Sequence, residues 1–149
     1  MDVTTRRLTA QDTTLARQLF ALMAEVFGEP HVPLGDAYLQ RLLASEQFWA
    51  MVALADGVPV GGLTAHGLAM TRSEATEAFI YDIAVLASHQ RQGVGRALVL
   101  ALRAACAEHG IHVLFVGADD ADTHALDFYR ALGGEASPVT FFTFEARHV

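Results

Sequence analysis

The chain has 149 residues, 52% of them hydrophobic, which suffices for one domain with a real core and is too short for two ordinary domains. Lysine and arginine number 10 against 17 aspartates and glutamates, and the resulting net charge of −7 disfavours nucleic acid and anionic membranes as partners and favours a polycationic one. No apolar run approaches the roughly 18 residues that cross a bilayer, and no apolar stretch follows the first arginines, so we expect a cytoplasmic protein with no membrane partner.

A strand and two helices are predicted at the start of the chain. Residues 3–8 form the strand, and Asp12 or Thr13 caps a helix whose apolar positions recur at helical spacing. Residues 28–35 contain glycines and prolines and form a loop, and a second helix covers residues 36–45. A loop between two helices is a natural place for substrate contacts.

A β-hairpin follows these helices. Residues 48–54 and 58–70 are rich in strand-forming residues, and the turn signal Asp56-Gly57 lies between them. The pair Gly61-Gly62 inside the second strand indicates a bulge or the close approach of another backbone.

The rest of the chain alternates strands and helices. Residues 78–86 are almost continuously apolar, as expected of a central strand covered on both faces, and Asp82 is the exception. The later elements are a helix over residues 94–109 ended by Gly110, a strand over 111–116, a helix from Asp122 to about 132 and a strand over 139–144. This order predicts one mixed α/β or α+β domain over residues 1–149, with a crossover unit from residue 78 to residue 116.

A glycine-rich turn follows the central strand. The run Gln90-Arg91-Gln92-Gly93-Val94-Gly95 opens a helix, whose free N–H groups and dipole favour an anion, and Arg91 and Arg96 add positive charge. Neither the Walker loop nor the dinucleotide fingerprint matches, because no Gly-Lys-Ser/Thr follows and the third glycine is missing. The glycine pattern alone also fits an ordinary tight turn.

The turn resembles the acetyl-CoA-binding motif of the GNAT family of N-acetyltransferases, Arg/Gln-x-x-Gly-x-Gly/Ala. Gln90, Gly93 and Gly95 fill its defined positions. The resemblance extends over nearly the whole chain and implies a mixed central sheet of roughly six to seven strands flanked by about four helices.

A second family signature, Asn-x-x-Ala-x-x-x-Tyr before Leu-Gly, is similar to residues 122–133. Ala125 and Tyr129 match it, whereas Asp122 replaces the asparagine and keeps the ability to cap the helix. The family places this tyrosine near the coenzyme sulfur, which implies that Tyr129 is the acid that protonates the departing thiolate. Its other interpretation is a core aromatic residue.

A narrower resemblance, carried by residues 79–85, 89–93, 112–119 and 140–144, is to the type I aminoglycoside 3-N-acetyltransferases. It implies acetylation of the 3-amino group of the 2-deoxystreptamine ring of an aminoglycoside such as gentamicin, an antibiotic-resistance activity. A carboxylate in a buried strand is destabilising unless it is paired or functional. The aspartate at the matching position in those enzymes is implicated as the general base, so the resemblance assigns that role to Asp82.

The resemblance also implies acetyl-CoA as cofactor, with the main chain of the strand along the pantetheine arm and the turn around the diphosphate. The cofactor-binding residues are then Ile83, Ala84, Val85, Gln90, Arg91, Gln92, Gly93, Val94, Gly95, Arg96, Asp122 and Ala125. A polycationic sugar requires an acidic site, although each candidate for it also fits an ordinary surface position. The substrate-binding candidates are Glu29, His31, Asp36, Tyr81, Asp82, Asp119, Asp120, His124 and Glu145.

Other interpretations stay open at this point. The same chemistry could act on a polyamine or a protein N-terminus, or the chain could be a non-catalytic acyl-CoA-binding sensor. No Cys/His spacing supports a metal site, and Cys106, which two alanines flank, is expected to be a buried helix residue. A homodimer is compatible with all of these interpretations.

Overall fold

Five strands form one mixed sheet in the computed structural model, which describes residues 2–146. They are β1 (Val3–Arg7), β2 (Phe48–Ala55), β3 (Val58–Ala69), β4 (Thr76–Val85) and β5 (Leu114–Val116). The strands lie side by side in chain order; the first three pairs are antiparallel, and β4 pairs with β5 in parallel.

The described residues also form four helices, and the three in the part of the chain that holds the sheet cover its two faces. The four helices are α1 (Thr13–Phe27), α2 (Asp36–Ala44), α3 (Val94–Glu108) and α4 (Thr123–Ala131), and a short 3₁₀ turn spans Ala87–His89. Leu19 of α1 and Leu39 of α2 share a buried cluster with Phe48 and Ala50 of β2. Trp49, between those two strand residues, faces His109 at the end of α3, with ring centroids 6.1 Å apart. Because successive strand residues point to opposite faces, α1 and α2 cover one face and α3 the other.

The chain separates into two compact units, one from Met1 to Gly117 and one that begins at Ala118. The first contains the sheet and the first three helices, and the second contains α4. The carboxylate of Asp122 accepts the Ala125 N–H at 3.0 Å, which confirms the predicted cap of α4. That residues 1–149 act as one domain stays a prediction.

The prediction of six to seven strands was wrong, because the described residues form five. No strand forms over residues 139–144. A strand is stable only when its N–H and C=O groups form hydrogen bonds with a neighbouring strand, and strand-forming residues alone do not provide that neighbour. The side chains of Phe141, Phe142 and Phe144 are 73%, 79% and 91% exposed, so packing does not fix this segment either. The fold class itself, a mixed sheet with four helices, is confirmed.

The two glycines predicted to mark a bulge or close approach do both. The β2–β3 register shifts beside Gly61, and a Cβ on that residue would lie 2.9 Å from the carbonyl oxygen of Ala84. A Cβ on Gly62 would collide with the side chain of Leu19. Cys106 is fully buried on α3, as predicted, and burial raises the pKa of its thiol.

Asp12 stands at the predicted start of α1, but its carboxylate does not cap the helix. It instead accepts two hydrogen bonds from the Arg6 guanidinium, at 2.9 and 3.0 Å, and one from the Thr9 N–H at 2.7 Å. The Arg6 hydrogen bond is the main reason that the pKa of Asp12 falls from 3.8 to about 2.

We expect Asp12→Asn to remove an acid-sensitive part of the stability. The folded pKa lies below the unfolded one, so the pair stabilises the fold above about pH 4 and loses that effect as the pH falls toward 2. After allowance for solvent screening, the loss at neutral pH is about 1 kcal/mol. Urea unfolding of both proteins at neutral and at strongly acid pH measures it, and an equal difference at both would contradict this account.

Candidate active site

The edge of β4 opens next to the glycine-rich turn. β4 pairs with β3 throughout, but with β5 only through Ala78, Phe79 and Ile80. The Leu86 N–H donates to the Val60 carbonyl at 2.9 Å, so alternation along the antiparallel pair turns the N–H groups of residues 83 and 85 away from β3. Within the first unit, Ile83 and Val85 therefore present backbone donors to a space that no strand fills.

A bulge in β4 sets the direction of its side chains. Thr64 of β3 is opposite Asp82, whereas the next residue, Ala65, is opposite Ile80, so Tyr81 is an extra residue in the pairing. The ring of Tyr81 lies 5.8 Å from the ring of His66, centroid to centroid. The bulge lets the neighbours Tyr81 and Asp82 face the same side of the sheet.

That side is the one under α1 and α2. Asp82 is opposite Thr64, Thr64 is opposite Ala50, and Ala50 belongs to the cluster that α1 and α2 bury. Residues directly opposite each other in an antiparallel pair share a face. Partial burial raises the pKa of Asp82, and the negative charge of Glu29, in the loop after α1, raises it further. The charge of one predicted site residue, Glu29, thus acts on another, Asp82.

The turn before α3 leaves main-chain donors free. Gly93 precedes the helix with a φ of 81°, in the left-handed region, and Arg91 has a φ of 61°. The first helical hydrogen bond runs from the Ala97 N–H to the Gly93 carbonyl at 3.0 Å, and no side chain caps the helix. The N–H groups of residues 94–96 therefore point out of the helix end, where an anion is favoured.

Two glutamine side chains hold this turn in place. Gln90 Nε2 donates to the Val85 carbonyl at 2.9 Å, and Gln92 Nε2 donates to the Ser88 carbonyl at 3.1 Å. The Gln90 amide thus ties the turn to the open end of β4. The Gln90 side chain therefore shapes the turn, and the main-chain N–H groups of the turn stay available for a ligand.

The other predicted substrate-binding residues of the first unit differ in what they contact. Glu29 and His31 are exposed in the loop between α1 and α2. Asp36, at the first turn of α2, forms an ion pair with Arg17 of α1, so its charge is already balanced. Of these residues, Glu29 is the one whose charge reaches Asp82.

The second unit holds the remaining candidates. Tyr129 is half-buried beside Phe128, and burial, followed by the charge of Asp122, raises the pKa of its hydroxyl. A raised pKa keeps the proton on the hydroxyl, as an acid requires. The exposed candidates of this unit are Asp119, Asp120, His124 and Glu145. Asp119 uses its carboxylate to accept the Ala121 N–H at 2.8 Å.

Sequence reasoning missed two polar residues on the Asp82 face, Thr64 and His66 of β3. They are polar residues two positions apart in an apolar strand, which is the signal that could have found them. Among residues 2–146, no group of three or more His, Cys, Asp or Glu side chains could hold a metal ion. In the same part of the chain, no helix has the length and apolar character to cross a membrane.

A model of the acetyltransferase (GNAT) family matches residues 16–133. An aminoglycoside acetyltransferase from an uncultured soil metagenomic sample is 33% identical over 99% of this chain and 100% of that one, with a TM-score of 0.94. Another such enzyme from an uncultured soil metagenomic sample, solved in complex with sisomicin, is 35% identical over 97% of each chain, with a TM-score of 0.89. AAC(6')-Iy, solved with the bisubstrate analog CoA-S-monomethyl-acetylneamine, shares the fold at 20% identity over 99% of this chain and 100% of that one, with a TM-score of 0.81. No curated protein sequence matches this chain.

Proposed function

This chain belongs to the acetyltransferase (GNAT) family and is an acyltransferase, and we propose that it transfers the acetyl group of acetyl-CoA directly to an amino group of an aminoglycoside. Two structural relatives, 33% and 35% identical, are aminoglycoside acetyltransferases. The net charge of −7 suits a polycationic substrate. The resemblance to the type I enzymes specifies the 3-amino group of the 2-deoxystreptamine ring, with gentamicin as substrate and resistance as the result.

The open edge of β4 and the free end of α3 fit acetyl-CoA. The N–H group of Ile83 would donate to an amide oxygen of the pantetheine arm, as one strand does to another, which leaves the Val85 N–H for the thioester end of the arm. The N–H groups of residues 94–96 and the charges of Arg91 and Arg96 would hold the diphosphate. When bound, acetyl-CoA supplies a thioester, an acyl carbon that an amine can attack.

Asp82 has the features of a base for an amine. Its carboxylate attracts the substrate ammonium and takes one proton from it, which frees the nitrogen lone pair for attack on the acyl carbon. The Val85 N–H would donate to the carbonyl oxygen as negative charge develops there. The C–S bond breaks as the C–N bond forms. As the resemblance implies, the Tyr129 hydroxyl would give the thiolate its proton, and the second proton that the nitrogen loses on becoming an amide would restore that hydroxyl. No covalent bond to the enzyme is needed.

The observation that carries this proposal is the position of Asp82 and Val85 on one short stretch of β4, where the sheet opens. Thiol release from acetyl-CoA, measured with gentamicin and other aminoglycosides, tests it. Spermidine and a peptide with a free N-terminus are the comparison amines, and NMR of the product identifies the acetylated nitrogen. Thiol release with spermidine or the peptide, but not with an aminoglycoside, would show that the substrate is another amine. Binding of acetyl-CoA with no thiol release for any amine would show that the chain is a non-catalytic sensor.

We expect Gly93→Ala to weaken acetyl-CoA binding. No atom lies within 4 Å of a Cβ on Gly93, so the cost comes from its φ of 81° and falls on the turn that opens α3. Left-handed backbone strain costs an alanine on the order of 1 kcal/mol, and the turn relieves it by leaving the conformation that aims its N–H groups at the ligand, so the KM for acetyl-CoA should rise roughly fivefold.

Gly110→Ala is the matched control for this variant. Gly110 has a φ of 73° and equally open surroundings, but it follows the opposite end of α3. The control should lose similar stability to urea and keep the KM of the wild type. A similar KM increase in both variants would mean that the turn has no special part in binding.

A further inference from the structure

A row of ring side chains crosses the face of the sheet that carries Asp82. Its successive ring centroids are 5.1, 5.8, 6.0 and 4.9 Å apart. We call this set the aromatic row, and in order it consists of Phe48, His66, Tyr81, Phe79 and Phe115. These residues belong to four neighbouring strands, so the sheet holds them in fixed positions.

The aromatic row changes from buried to exposed along its length. Phe48 is 5% exposed and belongs to the cluster that α1 and α2 cover, whereas Tyr81 is 64% and Phe115 40% exposed. Single exposed apolar residues need no explanation, but neighbouring exposed rings on a rigid surface are typical of binding sites. The buried end anchors the row, and the exposed rings are free to meet a ligand.

The neighbours of Tyr81 indicate which ligand. The bulge places Tyr81 beside Asp82 on one face, and the charge of Glu29 reaches Asp82. Carboxylates pair with ammonium groups, and the faces of aromatic rings attract cations and pack against flat apolar surfaces. A rigid sugar ring that carries amines offers both an apolar C–H face and ammonium groups. An acyclic polyamine offers the charges but no ring face.

We propose that the aromatic row, with Tyr81 as its exposed contact, stacks against a sugar ring of the substrate and selects ring-bearing polycations over acyclic ones. The proposal deepens the proposed function and rests on it. Tyr81 binds the ring, and His66, in contact with both Phe48 and Tyr81, positions Tyr81.

Calorimetric titration of the full chain with gentamicin and with spermidine tests this proposal. In Tyr81→Ala the dissociation constant for gentamicin should rise roughly five- to thirtyfold, the range of a lost cation–π and stacking contact. The value for spermidine should stay within about twofold, because the carboxylates remain. Tyr81→Phe keeps the ring and should bind gentamicin like the wild type.

The control variant is Leu100→Ala, which removes another exposed side chain, 41% exposed, on the α3 face. It should change neither titration. Unchanged gentamicin binding in Tyr81→Ala, or an equal loss for both ligands, would overturn the proposal, as would a wild type that does not bind gentamicin. The proposed function is judged separately by thiol release: gentamicin that binds through Tyr81 but is not acetylated would refute the function and leave the stacking contact standing.

Discussion

Asp82→Asn should lower kcat/KM for the aminoglycoside by about 10²- to 10⁴-fold, the usual contribution of a general base. An amide cannot take the ammonium proton, and it also lacks the charge that attracts the substrate. Binding of acetyl-CoA, measured by calorimetry, should stay unchanged, because the groups proposed to hold it are main-chain donors and the turn before α3. Turnover that survives in this variant with an unchanged pH profile would show that another group is the base.

Stability provides a check that the loss is chemical. Burial raises the pKa of Asp82, so the folded state binds its proton more tightly than the unfolded state does. The Asp82 carboxylate therefore destabilises the fold as the pH rises above its unfolded pKa, and an asparagine avoids this cost. We expect Asp82→Asn to unfold at the same or a higher urea concentration at neutral pH.

The pH profile links Asp82 to its neighbour. Activity needs the deprotonated carboxylate, so it should fall on the acid side as Asp82 takes up its proton. Glu29 raises the pKa of Asp82, and Glu29→Gln should therefore move this acid limb to lower pH. Asp36→Asn is the matched control, because the charge of Asp36 is already paired with Arg17. It should leave the limb where it is.

Val85→Pro should lower kcat by about 10²- to 10³-fold, the effect of a lost donor to a developing oxyanion. Proline removes the backbone N–H, and that of Val85 points to the open edge of β4, not to β3. The sheet therefore loses no interstrand hydrogen bond, and a proline is tolerated at such an edge position. Steady-state kinetics with acetyl-CoA and gentamicin measure the effect.

Two further variants separate the donor from other effects. Val85→Ala keeps the N–H and should retain most of the activity. Ala84→Pro removes an N–H that faces β3 inside the sheet, and it should unfold at a clearly lower urea concentration. If Val85→Pro kept the wild-type kcat with an intact fold, the Val85 N–H would have no part in catalysis.

The β4 strand shows how far the sequence alone leads. Its apolar run predicted a strand, and Asp82 stood out in it because a carboxylate rarely lies in such a run. The face that Asp82 takes depends on the bulge at Tyr81, and the bulge exists only relative to β3. No local pattern contains that register, so Thr64 and His66 could not be placed beside Asp82 before the pairing was known.

The start of α1 and the segment 139–144 also depend on contacts with other parts of the chain. The helix caps depend on one or two residues, and the cap at Asp122 was predicted correctly. At Asp12 the sequence offered the same side chain, but Arg6 on the preceding strand binds it. For residues 139–144 the composition favoured a strand, but among residues 2–146 no strand pairs with this segment.

Cys106 has a practical consequence for all of these measurements. It is the only cysteine of the chain and is fully buried, and the raised pKa of its thiol keeps it protonated. Disulfide reagents react with exposed thiolates. In a continuous colorimetric assay, the folded enzyme should contribute no background, and the colour should report released coenzyme A. Without substrates, the same reagent should react only with unfolded molecules, so one cuvette can measure both turnover and the fraction of enzyme that is folded.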